Sequence, residues 1–212
     1  MSPEIDTPGN NRFALLASGA NFSCEVLQAL QRLHHPPGLL VLPEYPPAHP
    51  VSKPVNDLIA ASPNRRILAL GEGIETAYAP VGKQAELSRL IRQGTFDFLL
   101  VACWTYLIGD ALIKSPRKAA LNLHPSLLPE FRGPNPIEQQ LAQQTHRFGV
   151  TLHLLNETFD QGDIVAQAEL TDIGRSPDSL HLEHRCALLG AELFIDAMKE
   201  HQRGWNPVPQ RA

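Results

Sequence analysis

The sequence predicts an α/β fold in which an open, mostly parallel sheet carries helices on both faces. Short apolar runs alternate with longer stretches of helical periodicity, which is the pattern of strands joined by crossover helices. The runs are apolar nearly throughout, as expected for strands that are buried on both faces. The chain has 212 residues, of which 43% are hydrophobic and 19% charged, enough to bury one large core. We expect a flexible tail at residues 1–12, one domain at 13–202 and a C-terminal tail at 203–212.

The predicted strands are the apolar runs, taken in chain order. The run FDFLLVAC is the most apolar and should be central in the sheet. The short run that follows Arg65 and Arg66 is also assigned to a strand, with the two arginines at a solvated edge. The predicted strands are 13–17, 38–42, 67–70, 96–103, 119–124, 149–155 and 164–170.

Apolar residues recur at helical spacing in the segments between these runs. The region 43–54 holds five prolines, a density that predicts a loop. The predicted helices are 22–33, 55–61, 84–93, 137–144 and 179–200.

Composition narrows the class of protein. The formal net charge is −4 with scattered basic residues, which disfavours a nucleic-acid partner. The N-terminus lacks the basic start and apolar middle of a signal peptide, and no apolar stretch is long enough to cross a bilayer. Cys24, Cys103 and Cys186 are odd in number and far apart, which favours a reducing compartment. We therefore expect a cytoplasmic protein without a membrane partner.

Three polar side chains stand where strands end. Asn122 and His124 are two residues apart on a predicted strand, so they point to the same face, and Pro125 ends that strand. Asp160 lies in the loop before the next strand, and Gly162 permits a tight turn there. Ligands of open α/β sheets bind beyond the carboxyl ends of the strands, so these residues are candidates for catalysis.

Two segments carry a family resemblance: NLHPSLLPEFRGPNPI, beginning at Asn122, and GVTLHLLNETFDQGDIV, which contains Asp160. Together they resemble the folate-dependent formyltransferases, a family that includes glycinamide ribonucleotide transformylase, the catalytic domain of methionyl-tRNA formyltransferase and sugar N-formyltransferases. The resemblance is dense over residues 96–170. It implies a formyltransferase-type, Rossmann-like sheet, and it makes 13–202 the catalytic domain. It also implies a cis peptide at Leu128-Pro129.

The resemblance implies transfer of the formyl group of 10-formyltetrahydrofolate to an amine. Asn122 and a protonated His124 would then donate hydrogen bonds to the developing oxyanion. Asp160 would keep His124 protonated and relay the amine proton through a water. No metal is implied. The implied folate pocket is formed by two loops, whose residues are Cys103, Trp104, Thr105, Tyr106, Leu107, Ile108, Asn156, Glu157, Thr158 and Phe159.

The acceptor stays open at this point. A small-molecule amine is favoured, such as an amino sugar nucleotide or an amino acid or hydroxamate precursor, over glycinamide ribonucleotide or a charged tRNA. The segment around Ala20 and Phe22 departs from the glycine-rich phosphate loop of the purine enzymes, and the chain ends before the second domain of the tRNA enzymes. A 10-formyltetrahydrofolate hydrolase and a non-catalytic folate-binding module are the alternatives. A monomer and a homodimer are both compatible with the sequence.

Other polar residues are assigned structural roles. His153 is expected to be a buried structural histidine, and Ser126 a turn hydroxyl. His181 and His184 with Cys186 lack the spacing of a helical zinc motif, so a solvated helix face is favoured.

Overall fold

The computed structural model describes residues 11–44, 65–79, 84–104, 106–174 and 177–210. The helix predicted at 55–61, most of the proline-rich loop and Thr105 lie outside the described residues. So does nearly all of the expected N-terminal tail.

The described residues form one seven-stranded sheet. Its strands are β1 Phe13–Ala17, β2 Leu39–Pro43, β3 Thr76–Ala79, β4 Phe98–Ala102, β5 Ala119–His124, β6 Gly149–Leu154 and β7 Ile164–Glu169. Their order in the sheet is β3-β2-β1-β4-β5-β6-β7. The first five strands in this order are parallel to one another, whereas β6 runs antiparallel to β5 and β7 runs antiparallel to β6. The predicted open, mostly parallel sheet is therefore confirmed.

Helices cover both faces of the sheet. The helices are α1 Asn21–Arg32, α2 Arg65–Leu70, α3 Gln84–Gln93, α4 Asp110–Ile113, α5 Pro136–Ala142 and α6 Ser179–Glu200, and a short 3-10 helix follows at His201–Arg203. The larger core lies between the sheet and helices α1, α2, α5 and α6, and the smaller core lies between the sheet and helices α3 and α4.

The central strands are apolar on both faces because each face meets a core. Leu15 of β1 packs in the larger core, and its neighbour Leu16 packs in the smaller one. Side chains alternate along a strand, so a strand between two helical layers needs apolar residues at every position. The runs in β1, β2 and β4 are fully buried for this reason.

The strand predicted at 67–70 is wrong, because residues 65–70 form helix α2. Ile67 is buried against the larger core, and the Arg66 guanidinium binds Glu25 and Asn21 of α1. An apolar run this short does not distinguish a strand from a buried helical turn. The third strand of the chain is instead β3, which follows α2. Its half-exposed sequence TAYA lacks a strong apolar pattern.

The loop after β5 is held by a buried polar network. The Thr151 hydroxyl donates to the Ser126 carbonyl (2.6 Å) and accepts from the Leu128 amide (3.1 Å). The Gln167 amide donates to the Leu128 carbonyl (2.9 Å). The Leu128-Pro129 peptide is cis, as predicted. These bonds fix the path of the chain directly after His124.

Candidate active site

Strand β5 presents an amide and an imidazole side by side at its carboxyl end. Asn122 pairs with Val101 of the central strand β4, and His124 pairs with Thr151 of β6. Their spacing of two residues places both side chains on one face of the sheet. His124 is buried, with 5% of its surface exposed.

The loop after β6 brings a carboxylate to this pair. Asp160 Oδ1 lies 3.3 Å from Asn122 Nδ2 and 3.5 Å from His124 Nδ1. Its second oxygen accepts a hydrogen bond from the Gly133 amide at 2.9 Å. The three side chains that the sequence singles out thus converge on one point.

The turn that aims this carboxylate is tighter than the sequence indicates. Asp160 itself has a positive φ of 53°, a conformation in which few non-glycine residues are found. Glycine is required at position 162 for lack of space rather than for its backbone conformation, because a Cβ there would lie 1.7 Å from the Leu154 carbonyl oxygen. The loop therefore packs its backbone directly against the end of β6.

The protonation state of His124 differs from the expectation. Burial lowers the pKa of His124, and this effect outweighs the upward influence of Asp160 and of the Phe131 carbonyl. The neutral imidazole is therefore favoured, rather than the imidazolium. Because His124 Nε2 lies 2.8 Å from the Phe131 carbonyl, the proton of the neutral ring sits on Nε2, and Nδ1 faces Asp160 with its lone pair.

Asp160 is held in its charged form. Burial alone would raise the pKa of Asp160, but His153, His124 and the Gly133 amide together keep it below its usual value. A negatively charged carboxylate therefore lies beside His124 Nδ1.

His153 contributes to this site, which the sequence analysis missed. It is buried, as expected, but its ring contacts the candidate catalytic residues. Its Nδ1 donates to the Leu154 carbonyl (2.8 Å), and with that hydrogen on Nδ1 the Nε2 atom accepts from Asn122 Nδ2 at 3.0 Å. This bond orients the Asn122 amide with its nitrogen toward Asp160. Asn122 and His153 are paired across β5 and β6. A correct alignment of these two strands in the sequence would therefore have indicated that His153 lies beside Asn122.

An open cleft lies beside Asn122 and Asp160. Most of the residues predicted for the folate pocket line it, but Cys103 and Glu157 do not. Cys103 packs against the larger core, where burial raises the pKa of its thiol to about 12, and Glu157 is exposed. Val101 and Leu155 line the cleft without having been predicted. The predicted residues that line it are Trp104, Tyr106, Leu107, Ile108, Asn156, Thr158 and Phe159.

Comparison with known proteins identifies the family of this chain. The family model described as formyl transferase matches residues 18–198. The chain belongs to the formyl transferase family.

Relatives of this formyl transferase include several methionyl-tRNA formyltransferases. That of Anaeromyxobacter dehalogenans is 31% identical over 202 residues, which cover 95% of this chain and 62% of the relative. The chain thus spans less than two thirds of the length of the curated relatives it matches most strongly.

Solved structures share the fold at low sequence identity. Glycinamide ribonucleotide transformylase 1 from Symbiobacterium toebii has a TM-score of 0.68 at 17% identity, with 95% of this chain and 94% of that chain covered. A formyltetrahydrofolate deformylase from Pseudomonas syringae has a TM-score of 0.63 at 18% identity, with 95% and 66% covered.

The start of α6 in this formyl transferase is held by ordinary structural contacts. The Asp178 carboxylate caps the helix by accepting from the His181 backbone amide, and His184 Nδ1 lies 2.7 Å from Glu25 Oε2. The Cys186 thiol donates to the Gly149 carbonyl. Across the described ranges, no three His, Cys, Asp or Glu residues are grouped so as to hold a metal ion.

No helix among the described residues is both long enough and apolar enough to cross a membrane.

Proposed function

We propose that this formyl transferase moves the formyl group of 10-formyltetrahydrofolate onto the amine of a small-molecule acceptor. The observation that carries the proposal is that Asn122 and His124 both lie within 3.5 Å of Asp160, and that Asn122 and Asp160 line an aromatic cleft. An amide donor, an imidazole and a carboxylate are the groups that acyl transfer to an amine requires.

The residues of the cleft fit a folate. Trp104, Tyr106 and Ile108 of the segment after β4 line it together with Leu155 and Phe159 of the segment after β6. Apolar and aromatic walls with a few polar groups suit a planar heteroaromatic ring. We propose that the pterin lies here, with the formyl group of the bound folate toward Asn122.

Asn122 is suited to stabilise negative charge. When bound, 10-formyltetrahydrofolate supplies the formyl carbon that the amine attacks. One hydrogen of Asn122 Nδ2 is held by His153 at 3.0 Å, whereas the other makes a longer contact of 3.3 Å with Asp160. The amide is planar, so the second hydrogen keeps its direction, and the substrate carbonyl oxygen can compete with Asp160 for it as that oxygen gains charge.

His124 is suited to move the proton of the amine. Its Nε2 is committed to the Phe131 carbonyl, so Nδ1 is the nitrogen that accepts a proton as the amine attacks. Asp160, 3.5 Å away, then stabilises the imidazolium that forms. The same Nδ1 returns the proton to the departing nitrogen. A neutral imidazole at rest, which burial favours, is the state that this role needs.

The acceptor belongs to the same proposal. We favour an amino sugar nucleotide or an amino acid or hydroxamate precursor. Relatives named for methionyl-tRNA and for glycinamide ribonucleotide make those two acceptors the comparison cases. We further propose that the protein acts in the cytoplasm, as a monomer or a homodimer, in keeping with its free cysteines.

The test is to incubate the purified protein with 10-formyltetrahydrofolate, with and without a metabolite extract. Release of tetrahydrofolate is followed together with products heavier by one formyl group, and His124→Ala serves as the inactive control. Release that needs the extract, with a formylated product, supports transfer and identifies the acceptor. Release without an amine indicates a hydrolase. Tight folate binding without release, equal in His124→Ala, indicates a binding module.

A further inference from the structure

The residues after α6 return to the body of the protein and dock beside the site. The Trp205 indole donates to the Ala197 carbonyl at 3.0 Å, and its ring lies against Phe98. Val208 then pairs antiparallel with Ile164 of β7 through two backbone bonds of 2.9 and 2.8 Å. We name residues 205–210 the C-terminal strap. The sequence assigns them to a tail, but they have fixed contacts.

Gln210, near the end of the strap, uses its whole side chain in hydrogen bonds. Its Nε2 donates to the carbonyls of Asp160 (3.0 Å) and Gly162 (2.7 Å). Its Oε1 accepts from Arg132 Nε (2.9 Å) and Nη2 (2.7 Å). An amide offers two hydrogens and two lone pairs, and all four are engaged.

These four bonds join the two loops that orient the proposed catalytic pair. Arg132 stands between Phe131, whose carbonyl binds His124 Nε2, and Gly133, whose amide binds the Asp160 carboxylate. On the other side, Gln210 holds the main chain of Asp160 itself. One side chain thus connects the partner of the imidazole with the backbone of the carboxylate.

We infer that Gln210 is a positioning residue that latches the Asp160 loop to the 131–133 loop and so sets the spacing between Asp160 and His124. The inference rests on the proposed function for its effect on turnover, though the latch itself is a matter of geometry.

The tie acts on a turn of uncommon backbone conformation. Asp160 has a φ of 53°, which aspartate adopts more readily than most residues but which is still less favourable than negative φ. The residues just before it, 156–159, are exposed. The bonds from Gln210 Nε2 satisfy two carbonyls on either side of the turn. Only an amide can do this while also accepting from Arg132.

The test compares Gln210→Ala, Gln210→Glu and the control Gln202→Ala, an exposed glutamine in the same terminal region, in the full chain. The pH midpoint of the His124 imidazole is measured by NMR, with assignment from His124→Asn. Turnover and donor affinity are measured in parallel. The titratable groups that face the His124 ring are Asp160 and His153.

We expect the His124 midpoint in Gln210→Ala to move to lower pH, because a loosened Asp160 carboxylate supports the imidazolium less. We expect kcat to fall about 10- to 100-fold. Donor affinity should change little, because Gln210 does not bond residues 156–159. Gln202→Ala should match the wild type in all three measurements. A native midpoint in folded Gln210→Ala overturns the latch, and so does a native kcat where the wild type is active.

Gln210→Glu separates the latch from simple anchoring of Arg132. A carboxylate still accepts from the guanidinium but cannot donate to the Asp160 and Gly162 carbonyls. We therefore expect its kcat to fall as in Gln210→Ala, and native turnover would overturn the latch. Should Gln210→Ala fail to fold, Arg132→Lys, which loses the paired donation to Oε1, must show the same shift of the His124 midpoint. An unshifted midpoint there overturns the inference.

The two proposals fail separately. A wild type that consumes no 10-formyltetrahydrofolate with any acceptor or with water refutes the proposed function. The His124 midpoint requires no substrate, so it still decides the latch in that case.

Discussion

At the scale of single residues, the Asp160 carboxylate faces three polar groups at once. One oxygen lies 3.3 Å from the Asn122 amide and 3.5 Å from the His124 ring, and the other accepts from the Gly133 amide. Its pKa is kept below the usual value despite burial. The charge of this carboxylate, rather than its shape, acts on the imidazole, because it raises the pKa of His124.

Asp160→Asn tests that charge. An asparagine preserves the size and the acceptor for Gly133, so we expect native folding and donor binding. Turnover should fall about 100-fold or more, because the imidazolium formed at His124 loses its counter-charge. The His124 pKa, measured by NMR, should also fall further. The control is Asp163→Asn in the same loop. Wild-type turnover in Asp160→Asn would rule out the proposed role.

His153→Phe tests the orientation of Asn122. Phenylalanine keeps the size of the buried ring but cannot accept from Asn122 Nδ2, so the amide is free to turn away from the site. We expect kcat to drop about 10- to 100-fold with little change in donor affinity. Steady-state kinetics and thermal melting separate this loss from unfolding, and the exposed His146→Phe is the control. A folded variant with unchanged kcat would show that Asn122 holds its orientation without His153.

At the scale of elements, the loop between β6 and β7 sets the position of the carboxylate. Its turn presses Gly162 against the end of β6, where an added Cβ would lie 1.7 Å from the Leu154 carbonyl oxygen. That neighbour is backbone in a paired strand, so the loop rather than the strand has to move.

Gly162→Ala should therefore displace the Asp160 loop. We expect a loss of about 1–3 kcal/mol in the free energy of unfolding, measured by urea denaturation, and a marked loss of turnover. Gly109→Ala is the control, because among the described residues its Cβ would meet only the flexible Gln84 side chain, at 3.3 Å. Equal stability and turnover in both variants would contradict the close packing of this loop.

The elements that the sequence predicted well are those with an unambiguous pattern. The apolar run around β4 and the periodicity of α6 each have one stable interpretation, and Asn122 and His124 follow from the alternation along β5. Helix α2 was mistaken for a strand because a run of four to six apolar residues suits both.

What the sequence could not supply are contacts between distant segments. Gln210 lies 50 residues beyond Asp160, and no local pattern indicates that they touch. The pKa of His124 depends on such distant contacts as well. The sequence predicts the neighbouring Asp160 carboxylate, which raises this pKa, but the burial that lowers it by a larger amount depends on the packing of the whole domain.

At the scale of the whole molecule, buried titratable groups make folding depend on pH. Burial lowers the pKa of His124, and burial with a nearby Lys118 lowers that of His201. Between the ordinary value of 6.5 and these lower values, the unfolded chain binds more protons than the folded one. Stability therefore rises with pH through this window and is lost as the pH falls through it. Glu183, whose pKa is raised mainly by burial, acts in the opposite sense.

We predict that the free energy of unfolding falls when the pH is lowered from 7.5 to 5.5, and that His124→Asn weakens this dependence. The variant has no ionisable group at the position, so the unfolded chain gains no proton there, while Glu183 and His201 contribute equally to both proteins. Urea denaturation at several pH values measures the two slopes. The lowered pKa of Asp160 and that of Glu25 act only nearer their ordinary values of 3.8 and 4.5, below this range. A variant slope equal to that of the wild type would mean that His124 titrates normally in the folded protein. It would then be substantially protonated below pH 6.5, and the imidazolium expected from the sequence would replace the neutral base.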